Sequence, residues 1–409
     1  MDTKVAGIDV HKKVLMVVVR AHGATEKDWE AGRFGTTTQE LRRLATWLRE
    51  RNVEEAVMES TAQYWKPVWY ELEPYFVLHL AQAYSNKARR GRKHDFEDAR
   101  RLVRRFLADE LILSLVPAPE QRLWRTLTRM KVQLTEDRSR IHNQLECLLE
   151  EMRIKLSSVV SDLLGVSGYR ILRALAKGET DPIRLAELAD RRLQCSPQQL
   201  IEALSGQPQP IHLQLLTLYL DRYQVLAEQA AKLNQMTAEA LKAHQDAVTR
   251  LAEVPGFGAD SAQQVIAEVG PQAGTFPSAA HLASWVGVCP GQKQSAEQNY
   301  SSHAAKGNRF LRRILNQAAH AAVRKKGSHF QLLFQRLLPR LSYKGAIWAV
   351  AHRLCRLVWK VLHERIRYIE QGREPNPITQ RQRALRLVRK LRNLGYEVIL
   401  PPKPVEQGT

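Results

Sequence analysis

Four carboxylates stand out as residues whose type and spacing could do chemistry. Asp9 lies at the end of the apolar run Val5, Ala6, Gly7, Ile8, and Glu59 ends a second run, Ala56, Val57, Met58. Asp95 and Asp98 fall where a basic loop delivers the chain to a helix-forming stretch, and their i, i+3 spacing puts both on one helix face. A carboxylate at the inner end of a strand needs hydrogen bonds, a cation or a metal to offset its desolvation. Acids from two strands and one helix can converge on hard divalent cations, which take oxygen ligands. Two such cations close together are a device for breaking phosphodiesters. The plainer readings are that Asp9 forms a turn and that Asp95 and Asp98 offset a helix dipole. Arg89, Arg90, Arg92 and Lys93 flank the second pair and would suit a phosphate backbone. Glu97 faces elsewhere on the helix and is left out of the site.

The elements that must position these acids follow from hydrophobic periodicity. The first apolar run and a second over residues 14–19 read as a β-hairpin, with a third strand ending near residues 32–35. Leu41, Leu44, Trp47 and Leu48 mark a helix with Thr38 as its N-cap. A strand over 54–60, a helix over about 62–72 and a strand over 75–82 complete an α/β domain with a mixed sheet. Asp9 and Glu59 would then end neighbouring central strands.

From residue 119 to about 156, apolar residues recur every three or four positions, which predicts one long amphipathic helix, a candidate coiled coil interrupted by Asp137. A second long helix runs through Leu215, Leu226 and Leu241, with shorter helices between the two. The long helices could pair within one chain or between protomers. Farther on, Pro255-Gly256-Phe257-Gly258 lies between two helical stretches like the turn of a helix-hairpin-helix. Its Gly256 and Gly258 would let backbone amides approach a DNA phosphate, or would simply allow a tight turn. A polar loop then carries Ser295, which by itself reads as a solvated serine. Cys289, among apolar neighbours, reads as a buried thiol and not as a rival nucleophile. Lys306, Arg309 and Arg312 lead into a basic helix. Past residue 343 come an apolar and basic helix, a linker over 372–377, a basic helix over 380–392 and a candidate final strand over 394–400. The late basic helix is either a solvated surface or an extra nucleic-acid contact.

The 409 residues carry 62 Lys and Arg against 42 Asp and Glu, a formal charge of +20, which points to a polyanionic partner. Four dispersed cysteines without CxxC spacing argue against a zinc ribbon or a disulfide framework. No apolar run reaches the length of a membrane span and no signal-peptide pattern opens the chain, so a cytoplasmic protein without membrane contact is expected.

The ordered motifs Gly7-Ile8-Asp9-Val10-His11-Lys12, Met58-Glu59-Ser60-Thr61, Lys93-His94-Asp95-Phe96-Glu97-Asp98-Ala99, Val254-Pro255-Gly256-Phe257-Gly258, residues 290–295 and Gly307-Asn308-Arg309-Phe310-Leu311-Arg312 resemble the DEDD-type insertion-sequence transposases. That family includes site-specific DNA invertases and bridge-RNA-guided recombinases. The resemblance spans about residues 4–360. It implies an N-terminal RuvC-like, RNase H-type domain whose acids Asp9, Glu59, Asp95 and Asp98 bind Mg2+, and a downstream domain that supplies a serine nucleophile, here Ser295. The family usually has glycine after this serine where this chain has Ala296, and Ser301 or Ser302 is the alternative nucleophile. It also implies DNA ends and target as substrates, a structured guide RNA, and a dimer or tetramer in which the long helices mediate assembly.

The expected fold is thus an α/β RNase H/RuvC-like domain over 1–115, a long-helix coiled-coil region over 116–248, a mainly α-helical transposase domain with a helix-hairpin-helix-like turn over 249–342, and a basic C-terminal extension over 343–409. The expected function is DNA transposition by strand cleavage and rejoining through a phosphoserine intermediate. A Holliday-junction-type nuclease using water, and a non-catalytic nucleic-acid-binding scaffold, are the rivals.

Overall fold

The computed structural model describes residues 4–21, 29–59, 62–83, 85–86, 96–291, 293–295, 298–301, 304, 306–370, 377–394 and 397. The chain divides into two compact units, Met1–Ala118 and Pro119–Thr409.

In the first unit, β1 (Lys4–Val10), β2 (Leu15–Ala21) and β3 (Glu30–Phe34) form an antiparallel meander. β4 (Val53–Glu59) joins the free edge of β1 in parallel, and β5 (Val77–Ala81) joins β4 in parallel. A two-residue strand, β6 (Leu113–Ser114), pairs antiparallel with β5 and gives the order β3-β2-β1-β4-β5-β6. This α/β arrangement is compatible with the expected RNase H/RuvC-like domain. Side chains alternate across the sheet. Ala6, Ile8, Val10, Ala56, Met58 and Leu80 pack on one face against α1 (Thr38–Glu50) and α2 (Trp65–Leu72). Helix α1 buries Leu41, Leu44, Ala45 and Leu48, one stripe at helical spacing, and burying each leucine contributes about 1.5–3 kcal/mol.

Two local expectations shift. Thr37, not Thr38, caps α1, because the Thr37 side chain is the one that accepts from the Glu40 N–H. Helix α2 starts at Trp65 instead of about residue 62, where Ala62 adopts a left-handed φ of 48° incompatible with a helix. The other face of the sheet is covered by α3 (Glu97–Leu107), which buries Leu102 against Val57 and Ala81 and sets Ala99 and Val103 over Gly7 of β1.

The second unit is mainly helical. α4 (Pro119–Glu151) ends five residues earlier than expected, and Met152, Ile154 and Leu156 continue its apolar pattern outside the helix by packing into a core. The short α5 (Leu156–Val159), α6 (Val166–Ala176), α7 (Pro182–Glu187) and α8 (Pro197–Leu204) follow. α9 (Pro210–Ala240) returns along α4 in the same chain, with Arg138 donating to the Tyr223 hydroxyl at 2.6 Å. One apolar cluster joins α4, α9 and the short helices through Ile141, Leu145, Ile171, Leu200 and Leu216. Then come α10 (Gln245–Ala252), α11 (Ala259–Val269) and α12 (Ala279–Val286), a small hairpin of β7 (Lys293–Ser295) and β8 (Gln298–Ser301), α13 (Arg309–Ala322), α14 (His329–Leu337), α15 (Tyr343–His363) and α16 (Pro377–Asn393). Among the described residues no helix is long and apolar enough to cross a membrane. Of the expected final strand, residues 395–396 and 398–400 lie outside the described residues.

Candidate functional site

The acids of the first unit are gathered by strand alternation. Since Ala6 and Ile8 face α1 and α2, Gly7 and Asp9 face α3; since Ala56 and Met58 face α1 and α2, Val57 and Glu59 face α3. The register pairs Ile8 with Met58, which leaves Asp9 and Glu59 as the next residues of two neighbouring parallel strands. Asp98 comes from the first turn of α3. Gly7 allows that approach. A Cβ there would stand 2.6 Å from Val103 Cγ2 and closer still to the Ala99 carbonyl oxygen, so only glycine lets α3 lie directly on β1.

These three acids interact. Asp9 has its carboxyl pushed above its ordinary range, first by burial and further by the negative charges of Asp98 and Glu59, against the opposing pull of His11. His11 Nε2 lies 3.0 Å from Asp9 Oδ2. Glu59 accepts from Asn86 Nδ2 at 2.8 Å, and Asp98 pairs with Arg101 Nη2 at 2.7 Å. Arg101 Nε also donates to the Asn86 backbone and side-chain oxygens, at 3.2 and 3.3 Å. Arg101 and buried Asn86 thus bridge Asp98 to Glu59, a role that periodicity does not reveal, although Arg101 follows Asp98 at i+3. Glu97 is turned to Arg100 and Arg104, away from this group. Asp95, with Arg89, Arg90, Arg92 and Lys93, lies outside the described residues. Among the described residues no three His, Cys, Asp or Glu side chains are close enough to hold one ion as they stand. The donor set nevertheless suits a hard divalent cation: oxygen ligands only, half-buried, with a carboxylate whose neighbours of like charge disfavour its ionised form.

In the second unit Ser295 ends β7 and pairs with Gln298, so it stands beside the two-residue connection of a hairpin, and not in an irregular loop as expected. The segment that carries this hairpin is closed at its base. Gly287 takes the left-handed φ of 74° that ends α12, and Gly307 packs so tightly on the Val286 carbonyl that a Cβ would not fit. Arg312 donates to the Gly287 carbonyl and stacks 4.6 Å over Trp348. That guanidinium, expected to meet a phosphate, is engaged inside the protein. Lys306 and Arg309 are exposed. Ser302 lies outside the described residues, whereas Ser301 ends β8. Cys289, expected buried, is half-buried, while the buried Cys355 has its thiol pushed up to about 12 by burial.

The hub beneath this base was not anticipated. Glu268, 1% exposed, meets Arg129 through two hydrogen bonds of 2.8 and 2.9 Å, Arg125 at 3.3 Å and Asn308 Nδ2 at 2.8 Å. Asn308 in turn caps α13 by accepting from the Phe310 and Leu311 N–H groups. Burial lowers the Arg125 guanidinium to about 10 despite Glu268. One buried carboxylate therefore ties α4, α11 and the start of α13 together.

The Pro-Gly-x-Gly turn joins α10 to α11. Gly256 has φ 92° and sits against the Ala318 carbonyl, so its lack of side chain is required by packing on α13. Gly258 faces open space, with its N–H donating to Ser261 Oγ at 2.8 Å. The turn borders a cavity of about 410 Å³ that Lys131, Asp260, Gln264 and Arg313 also line.

Residues 6–154 match the family model of DEDD transposases of IS110 elements, described as Transposase, and residues 248–335 match the Transposase IS116/IS110/IS902 family. A Pseudomonas aeruginosa protein named "Probable family 20 transposase" is 24% identical over 312 residues, covering 74% of this chain and 81% of that protein. A protein of insertion element IS110 from Streptomyces coelicolor is 38% identical over a shorter stretch of 74 residues, 18% of either chain. The first match contains Asp9, Glu59 and Asp98, and the second contains the Gly256 turn, Ser295 and Asn308; these two stretches are, in that order, similar to the two domain models of IS110-family transposases.

Proposed function

We propose that this protein cuts and rejoins DNA during transposition, with the acids of the first unit and Ser295 of the second as its two chemical centres. The observation that carries the first centre is that Asp9 and Glu59 share the sheet face that α3 covers and interact with Asp98 of that helix, with the Asp9 carboxyl raised by burial and by its two neighbours. Asp9, Glu59, Asp98 and, from the family motif, Asp95 would hold Mg2+, which supplies neutralising charge at a scissile phosphate. Arg101 and Asn86 hold Asp98 and Glu59 in place. The Ser295 hydroxyl attacks phosphorus: a P–Oγ bond forms, the P–O bond to the leaving strand breaks, and the serine proton passes to that strand's hydroxyl. Attack by another strand's hydroxyl reverses these changes, so rejoining needs no outside energy source. Lys306 and Arg309 hold the backbone. Arg312 and Glu268 act indirectly, by fixing the base from which the serine hairpin extends.

The reading further assigns a structured guide RNA as partner and a dimer or tetramer in which α4 and α9 mediate assembly and the two centres can be completed in trans. The test is a cleavage assay on element-end DNA with denaturing electrophoresis. Wild-type protein should yield covalent protein–DNA adducts, Ser295→Ala none, and Asp9→Asn neither adduct nor nick. Adducts from Ser295→Ala would remove the nucleophile assignment; free ends without adducts from wild type would favour a nuclease that uses water.

A further inference from the structure

Helix α16 lies outside both matched regions and carries more Lys and Arg than any other described helix that lacks an acid. Its 17 residues include Arg381, Arg383, Arg386, Arg389, Lys390 and Arg392 and no Asp or Glu. At 100° per residue Arg386, Arg389 and Lys390 occupy one arc, while Leu387, Val388 and Leu391 occupy the opposite one. Arg386, Arg389 and Lys390 are exposed, and so are Leu387 and Leu391. A helix that carries six cations and no acid in its own sequence repels itself and gains most beside a polyanion. The helix is about 25 Å long at 1.5 Å per residue, and a duplex presents one negative charge per roughly 1.7 Å of axis.

We propose that α16 is a nucleic-acid-binding helix whose cationic arc engages the phosphate backbone of a duplex. The recognition is by charge and is independent of base sequence. It adds a binding element to the transposase reading, while resting on the helix's own charge pattern. The contacting ligand chemistry, a double row of phosphates, is shared by a DNA end and by the stem of a structured RNA. Apolar Leu387 and Leu391 lie on the far side of the helix and play no part in the contact.

The experiment measures equilibrium binding of the full-length protein to a 20-base-pair DNA duplex and to the matching RNA duplex, across a salt series, with chelator present so that no cleavage occurs. The comparison is wild type against a triple variant, Arg386→Gln, Arg389→Gln, Lys390→Gln, whose exposed positions leave the fold intact by thermal melting. Each cation that leaves the backbone removes about 0.9 from the slope of log K against log salt, so the slope should fall by about 2–3. If wild type and variant converge near 1 M salt, a slope change of that size corresponds to roughly a 100–1,000-fold weakening at 0.1 M. A fall with only one duplex identifies DNA or RNA as the partner, and a fall with both indicates shared backbone recognition. Unchanged slopes on both duplexes overturn the proposal, as does a loss of binding caused by Leu387→Ser with Leu391→Ser and absent from the cation variant. Because binding is read without chemistry, a wrong nucleophile assignment at Ser295 would leave these slopes unaffected.

Discussion

Replacing Gly7 by alanine tests whether the acid site depends on the contact between β1 and α3. The strand conformation itself favours the change, since glycine inside a strand is about 0.5–1 kcal/mol worse than alanine. The surroundings oppose it. The new Cβ would stand 2.6 Å from Val103 Cγ2 and nearer to the Ala99 carbonyl, and a helix backbone oxygen cannot swing aside as a side-chain tip can. Forcing one carbon into a filled site costs about 1–3 kcal/mol, so the net loss is about 1–2 kcal/mol, taken up by α3 moving off the sheet. Hydrogen exchange followed by mass spectrometry reads this locally. Protection of amides in α3 and β1 should fall by roughly 5–30-fold, the population change that such an energy implies. Strand cleavage should fall with it, because Asp98 rides on α3. Gly274→Ala is the control: its Cβ would meet nothing within 4 Å, and no change is expected. Protection in Gly7→Ala equal to wild type, with full cleavage, would refute the argument that this glycine sets the position of Asp98.

Two further outcomes follow from the electrostatics. Asp9 has a raised folded-state carboxyl, so between its ordinary 3.8 and the raised value the native state holds more protons than the unfolded one, and stability falls as pH rises through that window. The penalty is fully present above the raised value, so on the alkaline side of that window Asp9→Asn should melt higher than wild type in metal-free buffer and lose that pH dependence; a lower melting temperature there would contradict the assignment of burial and like charge as the cause. Glu268→Gln would leave Arg125 and Arg129 without their buried counter-charge, a loss of about 3–5 kcal/mol that a urea titration should register as a lower midpoint, and an unshifted midpoint would mean the hub is not structurally required.

Much of the first site was legible from order alone. A side-chain period of two, applied to Gly7–Asp9 and Val57–Glu59, puts both acids on one face as soon as their strands are neighbours, and the i, i+3 spacing of Asp98 and Arg101 follows from helix geometry. The long apolar repeats of α4 and α9 were legible for the same reason, since periodicity is a local property. Helix ends were less so, because Thr37 and Thr38 are chemically equivalent caps and backbone geometry alone selects between them.

The tertiary structure decided what depends on residues far apart in the chain. That Gly7 serves α3, that Gly256 serves Ala318, and that α4 packs on α9 of its own chain are facts of packing, set by atoms tens to hundreds of residues away. Arg312 reads in sequence as one more basic residue, yet it binds the Gly287 carbonyl and Trp348. Glu268 reads as an ordinary helix acid, and only the folded arrangement buries it among Arg125, Arg129 and Asn308. Sequence determined which residue types could do the chemistry and the faces they share; desolvation and partner geometry, which exist only in the folded chain, decided which charges are held inside and which stay exposed.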